Sequence, residues 1–308
     1  MSHSCMRLLC ASQWSRHGSA VEELLRLRPA LLQRGQPRGL RSVLLSTHRW
    51  IVQWHEGPEP LVMAECRHLR TQLGLHSPRL LHGSRGPRVL REPVQVASLH
   101  TQDKAADVAH RIEFLAGEEA DGWPAELLDV WQAVAAPCQA ASEPGFVARR
   151  QVVALVSNAN GAVDLLRALA QQLGVRVAYQ RHAGSDLQRS DAGAAYIDVP
   201  RGSGGLVRVQ AFSRRALAPG LELLGLRHVE RLVVVLGDQG TRKQALVDEV
   251  AGVLAGLQPL PSVHVVSACL STRAWAAGVL REVPGLAVSQ FDAPSGAVAA
   301  LAPVLVPA

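Results

Sequence analysis

The stretch from Leu40 to Gly57, LRSVLLSTHRWIVQWHEG, constrains the fold of this chain more than any other. Two apolar segments flank a polar turn at Ser46 to Arg49, a pattern typical of a β-hairpin. The second segment carries Gln53 between two apolar neighbours. An unpaired buried amide costs roughly 1–3 kcal/mol. We therefore expect a hairpin in which Gln53 needs a hydrogen-bond partner.

The segments on either side of this hairpin alternate between strand and helix patterns. Met6 to Ala11 predicts a short buried strand. Ser19 to Arg34 predicts a helix, in which Ser19 caps the first turn and Glu22 stands at capping-box spacing. Pro29 lies inside that helix and predicts a kink or a restart.

The elements after the hairpin complete a recognisable order. Glu59 to Leu73 predicts a second helix, Arg79 to His82 a short strand, and Gly83 to Pro87 a turn before Val89 and Leu90. The resulting order is β-α-β-β-α-β, the ferredoxin-like arrangement.

Further along, residues 103–138 carry helical periodicity, and residues 135–146 predict a linker. From Gln151 onward, apolar runs alternate with amphipathic helices, which favours a mostly parallel sheet covered on both faces. The predicted fold class is therefore α+β followed by α/β. It comprises a ferredoxin-like domain at residues 5–97, a helical connector and linker at 98–148, and a mostly parallel-sheet α/β domain at 149–308.

Composition excludes several classes of function. Residues 1–100 hold 14 Arg and six Glu, with no Lys or Asp, so they carry about +8, and the remainder is near neutral in a chain of net charge +6. These arginines are scattered without a basic run, which argues against nucleic-acid binding. Five cysteines without a CxxC pair favour free thiols in a reducing compartment. With no apolar run of membrane-spanning length and no signal peptide visible, we expect a soluble cytoplasmic protein.

The predicted first domain resembles the BLUF family of blue-light receptors that use FAD. The resemblance covers about residues 6–95, and its most specific piece is IVQWHEGPEPLV, a hairpin strand with a glutamine and an acid-Gly-Pro ending. It implies that Gln53 occupies the position of a glutamine that hydrogen-bonds the flavin. That glutamine rearranges when light drives electron and proton transfer from a nearby tyrosine.

The sequence departs from the family at the residues that accompany this glutamine. Counted along the first strand, the tyrosine position falls at about Ala11, and the asparagine position at the end of the first helix falls at about Gly35. An alanine cannot donate an electron, and a glycine has no amide side chain. The domain is thus a degenerate member by resemblance, for which we expect no cofactor, with FAD bound at Gln53 as the alternative.

The second half resembles, more weakly, the Ras-like small GTPases in its order of elements. The phosphate-binding loop would lie at Val156 to Val163, where Ala162 and Val163 replace the Lys and the hydroxyl residue. The base-reading motif would fall near Ser267 to Leu270 and is missing. The sequence therefore predicts a GTPase-like domain without its nucleotide-binding motifs.

Two sensor-type domains without their chemistry predict a non-catalytic protein. The leading hypothesis is a bacterial signalling or assembly adaptor that is not an enzyme. It would act by binding a protein partner, a second copy of itself included, and would bind neither a membrane nor a nucleic acid. The alternative is a flavin-binding blue-light or redox sensor, and the third hypothesis is an NTPase. No catalytic or metal-ligating residue stands out, and Gln53 is the candidate cofactor contact.

Overall fold

The computed structural model describes residues 4–99, 103–120, 126–135, 150–157, 161–188, 193–200, 206–213, 229–237, 240–292, 302–303 and 305. The fold is mixed α/β with two mixed sheets. The chain separates into two compact units, which we describe one at a time. The first comprises residues 1–142, 180–191 and 219–221, and the second comprises the remaining residues. The domain bounds given above stay a prediction.

The first unit is built on a six-stranded sheet. Its strands are β1 (Cys5–Gln13), β2 (Arg41–Thr47), β3 (Trp50–Gly57), β4 (His76–Gly86), β5 (Val94–Ser98) and the short β8 (His182–Ala183). Their spatial order is β4-β1-β3-β2-β5-β8. Neighbouring strands are antiparallel except β2 and β5, which are parallel.

Among the described residues, the first unit has four α-helices: α1 (Ala20–Gly35), α2 (Glu59–Leu73), α3 (Ala105–Ala120) and α4 (Leu127–Ala135). Leucines of α1 and α2 share a core cluster with Leu44 and Ile51 on one face of the sheet. Trp131 of α4 packs on Trp54 of β3, with ring centroids 5.3 Å apart. The first elements run in the predicted β-α-β-β-α-β order, and two helices follow β5. The predicted linker lies largely outside the described residues.

The structure bears on two local expectations. Helix α1 continues through Pro29 without restarting, because its apolar stripe packs against the sheet on both sides of the proline. The segment Gly83 to Pro87 is not a turn, since β4 continues to Gly86 in antiparallel pairing with β1. Here the cross-strand hydrogen bonds outweigh the local preference of two glycines for a turn. The expected cap is confirmed, because Ser19 Oγ accepts a hydrogen bond from Glu22 N at 3.4 Å.

The second unit is built on a seven-stranded sheet with the order β13-β12-β11-β6-β10-β9-β7. Neighbouring strands from β10 through β6, β11 and β12 to β13 are parallel, and β9 is antiparallel to β10. The strands are β6 (Arg150–Val156), β7 (Val177–Gln180), β9 (Ala194–Pro200), β10 (Leu206–Ser213), β11 (Arg231–Val235), β12 (Ser262–Ser267) and β13 (Val288–Asp292). The helices are α5 (Gly161–Leu173), α6 (Gly240–Leu254) and α7 (Leu270–Arg281).

One buried charge lies in this second sheet. Arg208 is 1% exposed, and its guanidinium donates two hydrogen bonds of 2.7 Å to the carboxylate of Asp198 on the neighbouring strand. The same guanidinium lies over the ring of Tyr196, 4.1 Å from its centroid. A bidentate, stacked arrangement of this kind is specific to arginine.

We expect Arg208→Met to lower the free energy of unfolding by about 3–5 kcal/mol, because it leaves a largely buried carboxylate without its cation. The double variant Arg208→Met/Asp198→Leu should recover much of the loss. Urea denaturation measures both. The matched control is Arg167→Met, which breaks an exposed ion pair to Asp164 worth about 0–1 kcal/mol. Equal losses in Arg208→Met and the control would contradict the expectation.

Candidate functional site

Strand β3 lies inside the first sheet between β1 and β2, and all eight of its residues are buried. Side chains alternate along a strand, so Gln53 and His55 lie on the same face as Ile51. That face is covered by α1 and α2, whose leucines form the core cluster. The polar pair is thus enclosed between the sheet and two helices.

The hydrogen-bond partner of Gln53 is His55. The His55 ring lies between two groups: its Nδ1 is 2.9 Å from Ser42 Oγ, and its Nε2 is 3.3 Å from Gln53 Oε1. An amide oxygen only accepts, so the ring donates from Nε2 and accepts the Ser42 hydroxyl proton at Nδ1. The Gln53 oxygen is satisfied, whereas its Nε2 has no partner in the described part of the chain.

Burial keeps the His55 ring neutral. The residue has no exposed surface, and burial lowers its pKa from 6.5 to about 4, although the carboxylate of Glu65 opposes this shift. Glu65 on α2 accepts a hydrogen bond of 2.8 Å from Arg34 at the end of α1. This ion pair joins the two helices that cover the site.

The acid-Gly-Pro ending of β3 has a structural role. The carboxylate of Glu56 accepts hydrogen bonds from the backbone N–H groups of Val89 and Leu90, at 2.9 and 3.0 Å. Burial raises the pKa of Glu56, and these two bonds partly offset that effect. A Cβ at Gly57 would lie 3.2 Å from the carbonyl oxygen of Gly39. The motif therefore holds two loops against the end of the strand.

Strand register shows which side chain of β1 lies beside Gln53. Cys10, not Ala11, is paired with Gln53, while Ala11 is paired with Val52. Paired residues share a face of the sheet, so Ala11 lies on the face away from Gln53. The side chain of β1 that accompanies Gln53 is the Cys10 thiol, whose Sγ is 3.5 Å from that of Cys66 on α2. Sequence analysis missed this pair, although Cys66 lies on the apolar stripe of α2.

The position counted for the family's asparagine is closely packed. Gly35 is the last residue of α1, and a Cβ there would lie 3.3 Å from the carbonyl oxygen of Leu40. Contacts this short require Leu40 to move. An amide side chain at this position therefore requires the Leu40 backbone to shift by a few tenths of an ångström.

These observations test whether the site fits a flavin. The unpartnered amide nitrogen of Gln53 is a feature that a flavin carbonyl would satisfy. Against this, Gln53 and His55 have no exposed surface, so no space even as large as a water molecule touches them. The Arg34–Glu65 ion pair also closes α1 onto α2. The residues as they stand do not fit an isoalloxazine ring at Gln53.

The predicted nucleotide-binding loop of the second unit lies partly outside the residues that the structure describes. Residues 158–160 of the expected phosphate loop are among the undescribed ones, Ala162 is buried, and Asp164 pairs with Arg167 on the surface of α5. Across the described ranges, no group of three or more His, Cys, Asp or Glu residues is placed to hold a metal ion. None of the described helices combines the length and apolar character needed to cross a bilayer.

Known proteins that are similar to this chain are found among solved structures. No protein-family model and no curated protein matches the chain. Among solved structures, the chain is similar to the BLUF protein BlrB in its dark state, at 17% identity over 39% of this chain and 92% of that one, with a TM-score of 0.30.

Two larger proteins are also similar to the chain. It covers about a third of a bacterial light-regulated adenylyl cyclase, at 17% identity over 38% of this chain and 35% of that one, with a TM-score of 0.29. The chain is also similar to Klebsiella pneumoniae BlrP1 in complex with manganese and cyclic diGMP. The identity is 13% over 92% of this chain and 74% of that one, with a TM-score of 0.27. BLUF proteins are thus among the structural neighbours of the chain.

The His55 pKa predicts how stability depends on pH. Since the pKa is about 4 in the folded chain and 6.5 as a free side chain, the unfolded chain binds more protons between these values. Stability is therefore full above pH 6.5 and falls by about 3 kcal/mol as the pH drops to 4. Urea denaturation at several pH values measures the slope.

The variant His55→Leu should lack this component and show a shallower pH dependence than the wild type. His17→Leu, at an exposed histidine, is the matched control and should keep the wild-type slope. Parallel curves for wild type and His55→Leu would show that His55 is not the group responsible.

Proposed function

We propose that this chain is a non-catalytic bacterial signalling adaptor, in which a BLUF-like first unit has lost its flavin site and binds a partner protein. The observation that carries this proposal is the enclosed Ser42–His55–Gln53 network. His55 donates a hydrogen bond to the amide oxygen of Gln53 within the chain. That oxygen therefore needs no donor from a cofactor.

The open edge of the first sheet supports a binding role. Strand β4 lies at the end of that sheet, and an edge strand offers unpaired backbone groups to another chain. Leu80 on this strand is 47% exposed, and Met63 on helix α2, which packs on the adjacent strand β1, is 39% exposed. We name these two residues and β4 the α2–β4 surface, and we propose it as the site of partner binding.

A GTPase-like second unit that binds no nucleotide is part of the same proposal. The spatial order β9-β10-β6-β11-β12-β13, with only β9 antiparallel to its neighbour β10, supports such a layout. Ala162 and Val163 then stand where a phosphate-binding motif requires a lysine and a hydroxyl. This unit would contribute a folded surface rather than hydrolysis.

A flavin-binding light or redox sensor is the second candidate. The unpartnered Nε2 of Gln53 favours it, because a flavin carbonyl could accept that proton. This candidate requires α1 and α2 to separate and the Arg34–Glu65 pair to break, so it predicts a conformation different from the observed one.

The absorption spectrum of the purified chain decides between the two candidates. We expect no flavin absorbance after purification and no binding when FAD or FMN is added, because no space adjoins Gln53. The variant His55→Leu, which removes the internal donor to Gln53, serves as the comparison. A yellow protein with a stoichiometric flavin would overturn the adaptor proposal, and a red shift on illumination would establish the light sensor.

The α2–β4 surface can be tested with a second copy of the chain as the partner, because an edge strand can pair with its own copy about a two-fold axis. We expect self-association at rising concentration in sedimentation velocity, weakened by Leu80→Ser. Leu270→Ser, at an exposed leucine of α7, is the matched control. Self-association that Leu80→Ser leaves intact, or that the control abolishes, would place the contact elsewhere.

A further inference from the structure

Two thiols from distant parts of the chain lie together on the helix-covered face of the first sheet. Cys10 of β1 and Cys66 of α2 are 56 residues apart in sequence, yet their sulfur atoms are 3.5 Å apart. Cys10 is buried, and Cys66 is partly exposed. A disulfide needs a sulfur–sulfur distance of about 2.0 Å, which rotation of the two side chains must supply.

We propose that Cys10 and Cys66 form a reversible disulfide when the chain meets hydrogen peroxide, with Cys66 as the attacking thiol and Cys10 as the resolving thiol. The proposal does not depend on whether the chain binds a flavin. It gives the first unit a redox-sensitive site that neither the resemblance nor the comparisons assign.

The chemistry balances in two steps. The Cys66 thiolate attacks one oxygen of the peroxide, the O–O bond breaks, and a sulfenic acid and hydroxide form. The Cys10 sulfur then attacks the Cys66 sulfur and loses its proton, an S–S bond forms, and the sulfenic oxygen leaves as water. In sum, two thiols and one peroxide give one disulfide and two waters. A reducing thiol such as glutathione reverses the reaction by thiol–disulfide exchange.

The surroundings of the pair assign the two roles. A hydrogen bond from Cys10 lowers the pKa of Cys66 to about 7; Arg70 and Arg67 add to this effect, and burial opposes it. The pKa of Cys10 is raised by its bond to Cys66 and by its burial. The thiolate is the nucleophile in thiol chemistry, so the partly exposed Cys66 reacts first and Cys10 follows.

A disulfide between Cys10 and Cys66 would affect the residues around them in the first unit. Cys10 is paired with Gln53 on one side and with the exposed Leu80 on the other. Met63 lies three residues before Cys66, on the same side of α2. A bond between the two sulfurs would draw α2 toward β1, so it would alter both the packing beside Gln53 and the α2–β4 surface.

The experiment uses the full chain, reduced and then exposed to a stoichiometric series of hydrogen peroxide at pH 7. Trypsin separates the relevant cysteines, because Arg7 lies between Cys5 and Cys10. The two peptides of interest are residues 8–16 and 50–67. We expect a non-reduced digest to contain these peptides joined to each other, with two of the five thiols lost. Glutathione should restore both thiols.

Two variants and a control test the roles. In Cys10→Ser, which lacks the resolving thiol but keeps a hydrogen-bond donor beside Cys66, Cys66 should accumulate as a sulfenic acid that dimedone traps. In Cys66→Ser, Cys10 should lose its thiol on the order of tenfold more slowly, since it is mostly protonated. Cys5→Ser is the control and should form the Cys10–Cys66 bond as the wild type does. Circular dichroism confirms that each variant is folded.

Peptide mapping of the oxidised wild-type chain tests the proposed disulfide without any variant. Oxidation that converts Cys66 to a dimedone adduct or a sulfinic acid without a joined peptide pair would overturn the proposal. Joined pairs that contain Cys5, Cys138 or Cys269 in place of these two, or disulfides only between chains, would overturn it as well.

Discussion

The hydrogen bond from the His55 ring to the amide of Gln53 lies at the centre of the first unit. It joins two polar side chains on a strand whose eight residues are all buried, where an unsatisfied group would cost roughly 1–3 kcal/mol. Ser42 completes the network from the neighbouring strand. Because the network is internal, the sheet can be covered by α1 and α2 without a ligand between them.

The same face of the sheet combines two kinds of polar chemistry. His55 and Gln53 are fully enclosed and hold a neutral network, while Cys10 is buried and Cys66 is partly exposed. A hydrogen-bond network of this kind is stable and inert, whereas a thiol pair beside arginines can respond to an oxidant. The unit therefore holds a reactive thiol pair beside Gln53, because Cys10 is the residue of β1 that is paired with Gln53.

Several elements could be predicted because local signals and tertiary packing agree. The Ser19 cap, the hairpin and helix α2 all follow from residue patterns that the packing then supports. A kink or restart at Pro29 and a turn after His82 were predicted from local preferences alone. The restart and the turn are wrong, because the core contacts of α1 and the pairing of β4 with β1 outweigh the preferences of single residues.

The candidate site likewise has features that follow from the sequence and features that depend on tertiary packing. The sequence by itself determined that Gln53 lies within a buried strand and that tyrosine and asparagine do not accompany it. Only the tertiary structure decided that Cys10, rather than Ala11, shares its face, and that His55 is its partner. The physical reason is that side chains alternate along a strand, so a register shift of one residue between β1 and β3 exchanges the two faces. Long-range packing sets that register.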